Sequence, residues 1–142
     1  PSVGAAAIGL ARRAMLETLN RVRTREMFGR PMGDMQSIQM SLADMATDID
    51  TGALTVYRAA WARDVRGDRS QYAPSMAKLA AAEAAGRVAD RAVQLCGGMG
   101  VTHGSVVEKI YREARPMRIY EGASEVQKII VGRALLKGAD QP

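Results

Sequence analysis

Residues 35–65 read MQSIQMSLADMATDIDTGALTVYRAAWARDV, and Met35, Ile38, Leu42, Met45, Ile49, Ala53, Val56 and Ala60 step through them by threes and fours. That spacing marks one face of an α-helix and is incompatible with the alternation of a strand. Working outward, FGRPMGD at 28–34 interrupts the helical pattern with two glycines and a proline, and Asp34 is placed to cap the helix that follows. Upstream of it, Ile8, Met15, Leu19 and Val22 repeat the helical spacing. Downstream, Gly67-Asp68-Arg69-Ser70 forms a turn, and Pro74 suits a first helical turn. The Ala-rich run that begins there ends at Gly97-Gly98-Met99-Gly100. Ser124 and Gln127 make the S-x-x-Q pattern of a capping box, and Gly138 closes the last helix. The spacing predicts long helices over 3–27, 35–66, 74–97 and 123–137, with a short one over 105–115. This is an all-α chain, an up-down four-helix bundle with a short extra helix, in one domain covering 1–142.

Composition agrees and narrows the function classes. Of 142 residues, 47% are hydrophobic and 25% charged, enough for one core without disulfides or metals. The 24 Ala, 9 Leu and 9 Met are strong helix formers. A single cysteine, Cys96, excludes an internal disulfide, and with a single histidine, His103, no metal site is expected. No apolar run reaches the ~20 residues of a membrane span, and no export leader is visible. The expected location is therefore the cytoplasm, in a bacterial source. The net charge of +5 comes from 20 basic and 15 acidic residues interspersed along the chain, and aromatics are 4%. A nucleic-acid surface with stacking platforms is therefore not expected. The Ala-lined third helix and the methionines point to faces that pack on another domain or subunit. The chain opens on Pro1, which is read as a processed or excised piece of a longer protein.

Three glycine-containing junctions carry the candidate chemistry. In Arg25-Glu26-Met27-Phe28-Gly29, the guanidinium suits a diphosphate and the ring a planar group; equally, these are a surface arginine and a phenylalanine plugging the bundle end. In Gln94-Leu95-Cys96-Gly97-Gly98-Met99-Gly100, glycines allow a ligand close to bare backbone, or simply end a helix. No strand precedes them, so this is not a dinucleotide fingerprint. Cys96 is read as a small buried hydrophobe and His103 as a loop residue. In Tyr120-Glu121-Gly122-Ala123-Ser124-Glu125, Glu121 lies just outside a helix N-terminus whose partial positive charge favours a carboxylate, while a site wall would raise its pKa. A carboxylate held between those influences suits a general base, and a plain helix-end acid is the other reading.

In this order and separated by helices of these lengths, R-x-x-F-G, Q-x-x-G-G-x-G and I-Y-E-G-x-S-E resemble the C-terminal domain of the acyl-CoA dehydrogenase family. Leu42-Ala43-Asp44-Met45-Ala46, Tyr57 to Trp61, Ala77-Lys78-Leu79 and Val107 to Arg115 support the likeness, which runs from about Gly4 to Leu136. The resemblance implies the C-terminal third of a longer flavoenzyme. FAD would lie between a β-domain and this bundle, its adenosine diphosphate end on a neighbouring subunit. It implies that Arg25, Met27, Phe28, Gln36, Gln94 and Gly98 meet that end, while Ala123, Ser124 and Glu125 lie along another FAD near the reaction centre. Ala123 stands where many members carry Thr, and Met27 where Thr or Gln is frequent. Glu121 matches the catalytic base that takes the α-proton of an acyl-CoA thioester as hydride leaves for FAD, with Tyr120 lining the acyl pocket and Gly122 holding the thioester. An electron-transfer flavoprotein or similar acceptor and a homodimer or homotetramer are implied partners. Two other readings stay open: a stand-alone helical oligomerisation module, and a flavin oxidase or monooxygenase of the same fold.

Overall fold

The computed structural model describes residues 1–138. Among the described residues there are five α-helices, α1 Ser2–Thr24, α2 Gln36–Asp64, α3 Tyr72–Cys96, α4 Val106–Ala114 and α5 Ser124–Leu136. Single turns of 3₁₀ helix occupy Met32–Asp34, Gly97–Val101 and Pro116–Arg118. The all-α bundle expected from the stripes is therefore present. Among the described residues, no helix is long and apolar enough to cross a membrane, and no cluster of three metal-ligating side chains occurs.

The sequence pattern misplaces three local features. α1 stops at Thr24, not near 27, because Glu26–Met27 (β1) and Arg30–Pro31 (β2) pair as a minimal antiparallel hairpin. Its two turn residues, Phe28 and Gly29, both sit at positive φ, 52° and 75°. A two-residue hairpin turn with both central residues left-handed matches the twist of its strands, and Gly29 takes that conformation freely. Asp34 does not cap α2. It lies inside the 3₁₀ turn, and extended Met35 takes the cap position. The Ser124–Gln127 capping box does not form either, since Ala123 occupies the N-cap and both polar side chains are bonded elsewhere. By contrast, Ser105 does cap α4, accepting from the Glu108 N–H at 3.2 Å.

α3 is the axis of the bundle and touches α1, α2, α4 and α5. Ala77, Ala81, Ala82, Ala84, Ala85, Ala89 and Ala92 are all buried, so the alanines serve the interior of this chain rather than an outer docking face. Small side chains let the neighbouring helices come close, and larger ones (Ile8, Met45, Val56, Val88, Met117) fill the remaining space. Gly4 packs against Val56, and Gly52 against Ile8, which sets α1 and α2 antiparallel. Asp48 binds Arg87 at 2.7 Å and Arg91 at 2.9 Å, while Asp44 meets Arg91 at 3.2 Å, so α2 and α3 are antiparallel as well. Partial burial pushes the Asp48 carboxyl up, but the hydrogen bonds and charges of the two arginines outweigh it and hold the group below the usual carboxylate range. Exposed apolar side chains form rows on α2 (Met40, Leu54, Tyr57, Trp61) and α5 (Val126, Ile129, Leu135, Leu136), with others scattered over the loops, α1 and α4.

A Cβ placed on Gly52 would stand 2.7 Å from the Ile8 Cδ1 atom, with Ala81 and Ala84 at 3.5 Å behind it. Gly52→Val should therefore destabilise the bundle by about 1–3 kcal/mol through overpacking. A urea midpoint equal to that of the unmodified chain would show that α1 can move aside without cost.

Candidate functional site

Two of the three junctions meet where α1 and α3 end. A cavity of about 230 Å³ there is lined by Arg21, Arg25, Met27, Met32, Gln94, Leu95, Cys96, Gly97 and Gly98. The hairpin accounts for this convergence. The Met32 N–H donates to the Arg25 carbonyl at 2.7 Å, and the buried Met32 side chain anchors the loop, which folds Met27 back over the end of α3. On the other side Gly97, at φ 62°, stops α3, and a Cβ on Gly97 or Gly98 would meet no atom within 4 Å. Backbone is thus accessible beside a guanidinium and an amide. Phe28 projects from the hairpin tip, 90% exposed, and Gln36 lies exposed at the start of α2, outside the cavity lining. Four of the six residues expected here, Arg25, Met27, Gln94 and Gly98, line one cavity.

Arg21 is a member of this site that the motif reading missed. It lies one helical turn before Arg25, and its Nε is buried without a hydrogen-bond partner. It also lines an adjoining cavity of about 470 Å³ with Cys96, Met99 and Val106. The i, i+4 spacing of Arg21 and Arg25 was the available signal. Burial pushes the Cys96 thiol up, so it is a poor nucleophile, in keeping with its reading as a core residue.

The third junction is built differently. Glu121 and Gly122 both have positive φ, 53° and 88°, immediately before α5. A non-glycine residue there is uncommon and has to be held by its surroundings. Two side chains hold it, through three hydrogen bonds. The Gln127 amide donates to the Glu121 carbonyl at 3.3 Å and to the Gly122 carbonyl at 3.1 Å. The Lys78 ammonium, reaching across from α3, donates to the Gly122 carbonyl at 2.7 Å. A side chain at 122 would be strained at φ 88°, and its Cβ would displace the Gln127 amide. The Glu121 side chain itself is exposed, with Tyr120 half-exposed beside it. Among the described residues, the Glu121 and Gly122 N–H groups take part in none of the turn and cap hydrogen bonds, and α5 has no side-chain cap.

A second anchor lies just beyond. Glu83 of α3 accepts from the Ser124 hydroxyl at 2.7 Å and from Arg118 Nε at 2.9 Å, and pairs with the Arg118 guanidinium at 2.8 Å. Ser124 is buried and its hydroxyl is used inside the chain, whereas Ala123 is half-buried and Glu125 exposed. Lys78, Glu83 and Arg118 carry no role in the motif reading. Two charged residues set in the otherwise apolar face of α3 were the trace they left in the sequence. The two constellations are well separated: Lys78 and Gln94 stand 16 residues apart on one helix, roughly 24 Å at 1.5 Å per residue.

The chain matches the family described as "Acyl-CoA dehydrogenase, C-terminal domain" over residues 1–136. It is 38% identical over 139 residues to the cyclohexane-1-carbonyl-CoA dehydrogenase of Geobacter metallireducens, covering 98% of this chain and 36% of that protein. It is also 38% identical over 135 residues to the mitochondrial short-chain specific acyl-CoA dehydrogenase of Sus scrofa, covering 95% of this chain and 33% of that one. Among solved structures, butyryl-CoA dehydrogenase from Megasphaera elsdenii superposes with a TM-score of 0.90 at 36% identity, covering 94% of this chain and 35% of its own. The chain spans about a third of the length of the relatives it matches.

Burial pushes the Glu83 carboxyl up, but the bonds from Ser124 and Arg118 and the Arg118 charge outweigh it, so the net position is below the usual carboxylate range. A depressed folded-state pKa contributes stability that is present above the unfolded value, about 4.3, and lost as pH falls through the folded value. The acid limb of a Tm-against-pH curve should therefore be shallower in Glu83→Gln than in the unmodified chain. Parallel limbs would mean that the Glu83 contacts are not formed in solution.

Proposed function

This chain belongs to the acyl-CoA dehydrogenase C-terminal domain family, and from that premise we propose that it is the C-terminal helical third of a longer, FAD-dependent acyl-CoA dehydrogenase. The single observation that carries the reading is Glu121, an exposed carboxylate held at positive φ directly before the uncapped N-terminus of α5. In that role Glu121 accepts the α-proton of an acyl-CoA thioester while the β-hydride leaves, giving the trans-α,β-unsaturated thioester. The N–H groups at 121 and 122 are placed to hold the thioester carbonyl, whose polarisation acidifies the α-carbon. Tyr120 lines the acyl side.

The residues around the first cavity fit the diphosphate and adenosine end of FAD. Arg25 offers a guanidinium, Gln94 an amide, Gly98 open backbone, and Met27 and Met32 apolar walls. Phe28 and Gln36 complete that contact from the hairpin tip and the start of α2. Bound FAD would supply the hydride acceptor. The ~24 Å between the two constellations supports a shared arrangement, in which one protomer's first cavity serves the cofactor of another and Ala123, Ser124 and Glu125 border its own. The exposed apolar residues of α2 and α5 then pack on the remaining domains and on further copies, as a dimer or tetramer. An electron-transfer flavoprotein or similar carrier reoxidises the cofactor, and the enzyme works in a bacterial cytoplasm. The same exposed apolar rows are also what a helical oligomerisation module would carry, and that is the competing reading.

Three outcomes are expected. In the complete flavin-loaded enzyme, Glu121→Gln should bind acyl-CoA normally but slow anaerobic flavin reduction by at least ~10²–10⁴; near-normal bleaching would remove Glu121 as the base. The 142-residue chain alone should not retain flavin through gel filtration, because the ring lacks its apolar walls, and stoichiometric yellow protein would contradict that. Sedimentation of the same chain at high micromolar concentration should show self-association, whereas a strict monomer would assign the apolar rows of α2 and α5 to the missing domains alone.

A further inference from the structure

We propose that Lys78 is a positioning residue for the proton acceptor: with Gln127 it locks the Glu121–Gly122 turn in the left-handed conformation that presents the carboxylate. The proposal rests on the reading of Glu121 as the base.

Lys78 is 6% exposed, with Ser75, Ala81, Ala82 and Ala85 buried one or two turns away on the same helix. Burying an ammonium is unfavourable unless its protons are used. Among the described residues Lys78 forms no ion pair, and its hydrogen-bond acceptor is the Gly122 carbonyl. Glu83 and Glu125 act on it only through space, and desolvation is the larger influence, lowering its pKa. Glu83 is already engaged by Arg118 and Ser124, so neutralising that carboxylate does not explain Lys78. A methionine would fill the same space without the desolvation penalty. It would not hold the carbonyl.

What the carbonyl controls is the direction of Glu121. The Glu121 carbonyl belongs to the peptide plane between 121 and 122, and the Gly122 carbonyl to the plane between 122 and 123. Gln127 donates to both and Lys78 to the second. Together they fix both planes that follow Glu121, leaving its Cα–Cβ bond one direction relative to α5. Released, a non-glycine residue at φ 53° relaxes toward the ordinary negative-φ regions and takes its carboxylate with it. Gln127 belongs to α5 and moves with that helix, whereas Lys78 ties the turn to the bundle axis.

The test uses the complete flavin-loaded enzyme carrying Lys78→Met, with crotonyl-CoA as the binding probe and butyryl-CoA as the reductant. Expected are normal flavin content, a thioester Kd within about threefold of wild type, and single-turnover flavin reduction slowed about 10- to 100-fold by misplacement of the base. Amide exchange at Gln127, whose N–H donates to the Ala123 carbonyl, should accelerate while that of Ala81 to Ala89 in α3 stays unchanged. Wild-type reduction rates, or a loss that simply follows lost flavin, would overturn the assignment. Should Lys78→Met fail to fold, Gln127→Leu, which removes the other donor to the same carbonyl, must show the same selective loss of rate or the lock is wrong. Glu121→Gln run in parallel separates the two claims. A normal rate there overturns the base reading, and the catalytic part of this proposal with it. An inactive Glu121→Gln beside a normal Lys78→Met overturns the Lys78 assignment alone.

Discussion

The structure depends on how little side chain α3 carries. A helix in contact with four others can be approached closely on most of its faces only if those faces are small, and eight buried alanines provide that. Each alanine buries little apolar area, so the gain lies in the number of close contacts made by its neighbours rather than in any one side chain. The same constraint explains the glycines at 4 and 52, which sit where α1 and α2 come nearest each other and α3. It also limits where function can be placed. An axis this crowded leaves its own ends, and the segments folded over it, as the available sites.

Both candidate constellations follow from that geometry. At one end α3 stops at a left-handed glycine, and the hairpin after α1 closes over the exposed backbone. Nearer the other end, two charged residues interrupt the apolar surface of α3 and reach the segment between α4 and α5. Lys78 takes a carbonyl, and Glu83 takes a hydroxyl and a guanidinium. These are costly groups to bury, and each is satisfied by the segment that bears Glu121. The strained backbone of the turn and the buried Lys78 and half-buried Glu83 of the axis are therefore one arrangement, in which the core fixes the direction of a carboxylate that itself stands in the open.

Much of this was legible in the sequence where a pattern is periodic. The stripe from Met35 to Ala60 and the alanine run of α3 specify helices whatever their surroundings. What escaped was set by contacts between distant residues. The end of α1 was overestimated because Glu26 and Met27 are good helix formers that a left-handed Phe28-Gly29 turn draws into a hairpin instead. The S-x-x-Q pattern at 124–127 is a valid capping signal locally, yet Ser124 finds Glu83, 41 residues away, and Gln127 turns back to the Glu121 and Gly122 carbonyls. Arg25, Met27, Gln94 and Gly98 could be named from motif resemblance and expected at one ligand end, but the hairpin that brings them to one cavity needed the fold. Lys78, Glu83 and Arg118 matter only through partners that no local window contains.

The central claim is that the bundle axis aims Glu121 at a bound thioester. The measurement that bears on it most directly is a crystal structure of the complete enzyme with FAD and a non-reactive acyl-CoA analogue. The account predicts the Glu121 carboxylate within about 3.5 Å of the α-carbon, φ at 121 still positive, and Lys78 still bonded to the Gly122 carbonyl. A Glu121 side chain turned to solvent, with another carboxylate over the α-carbon or with the Lys78 bond absent, would contradict it.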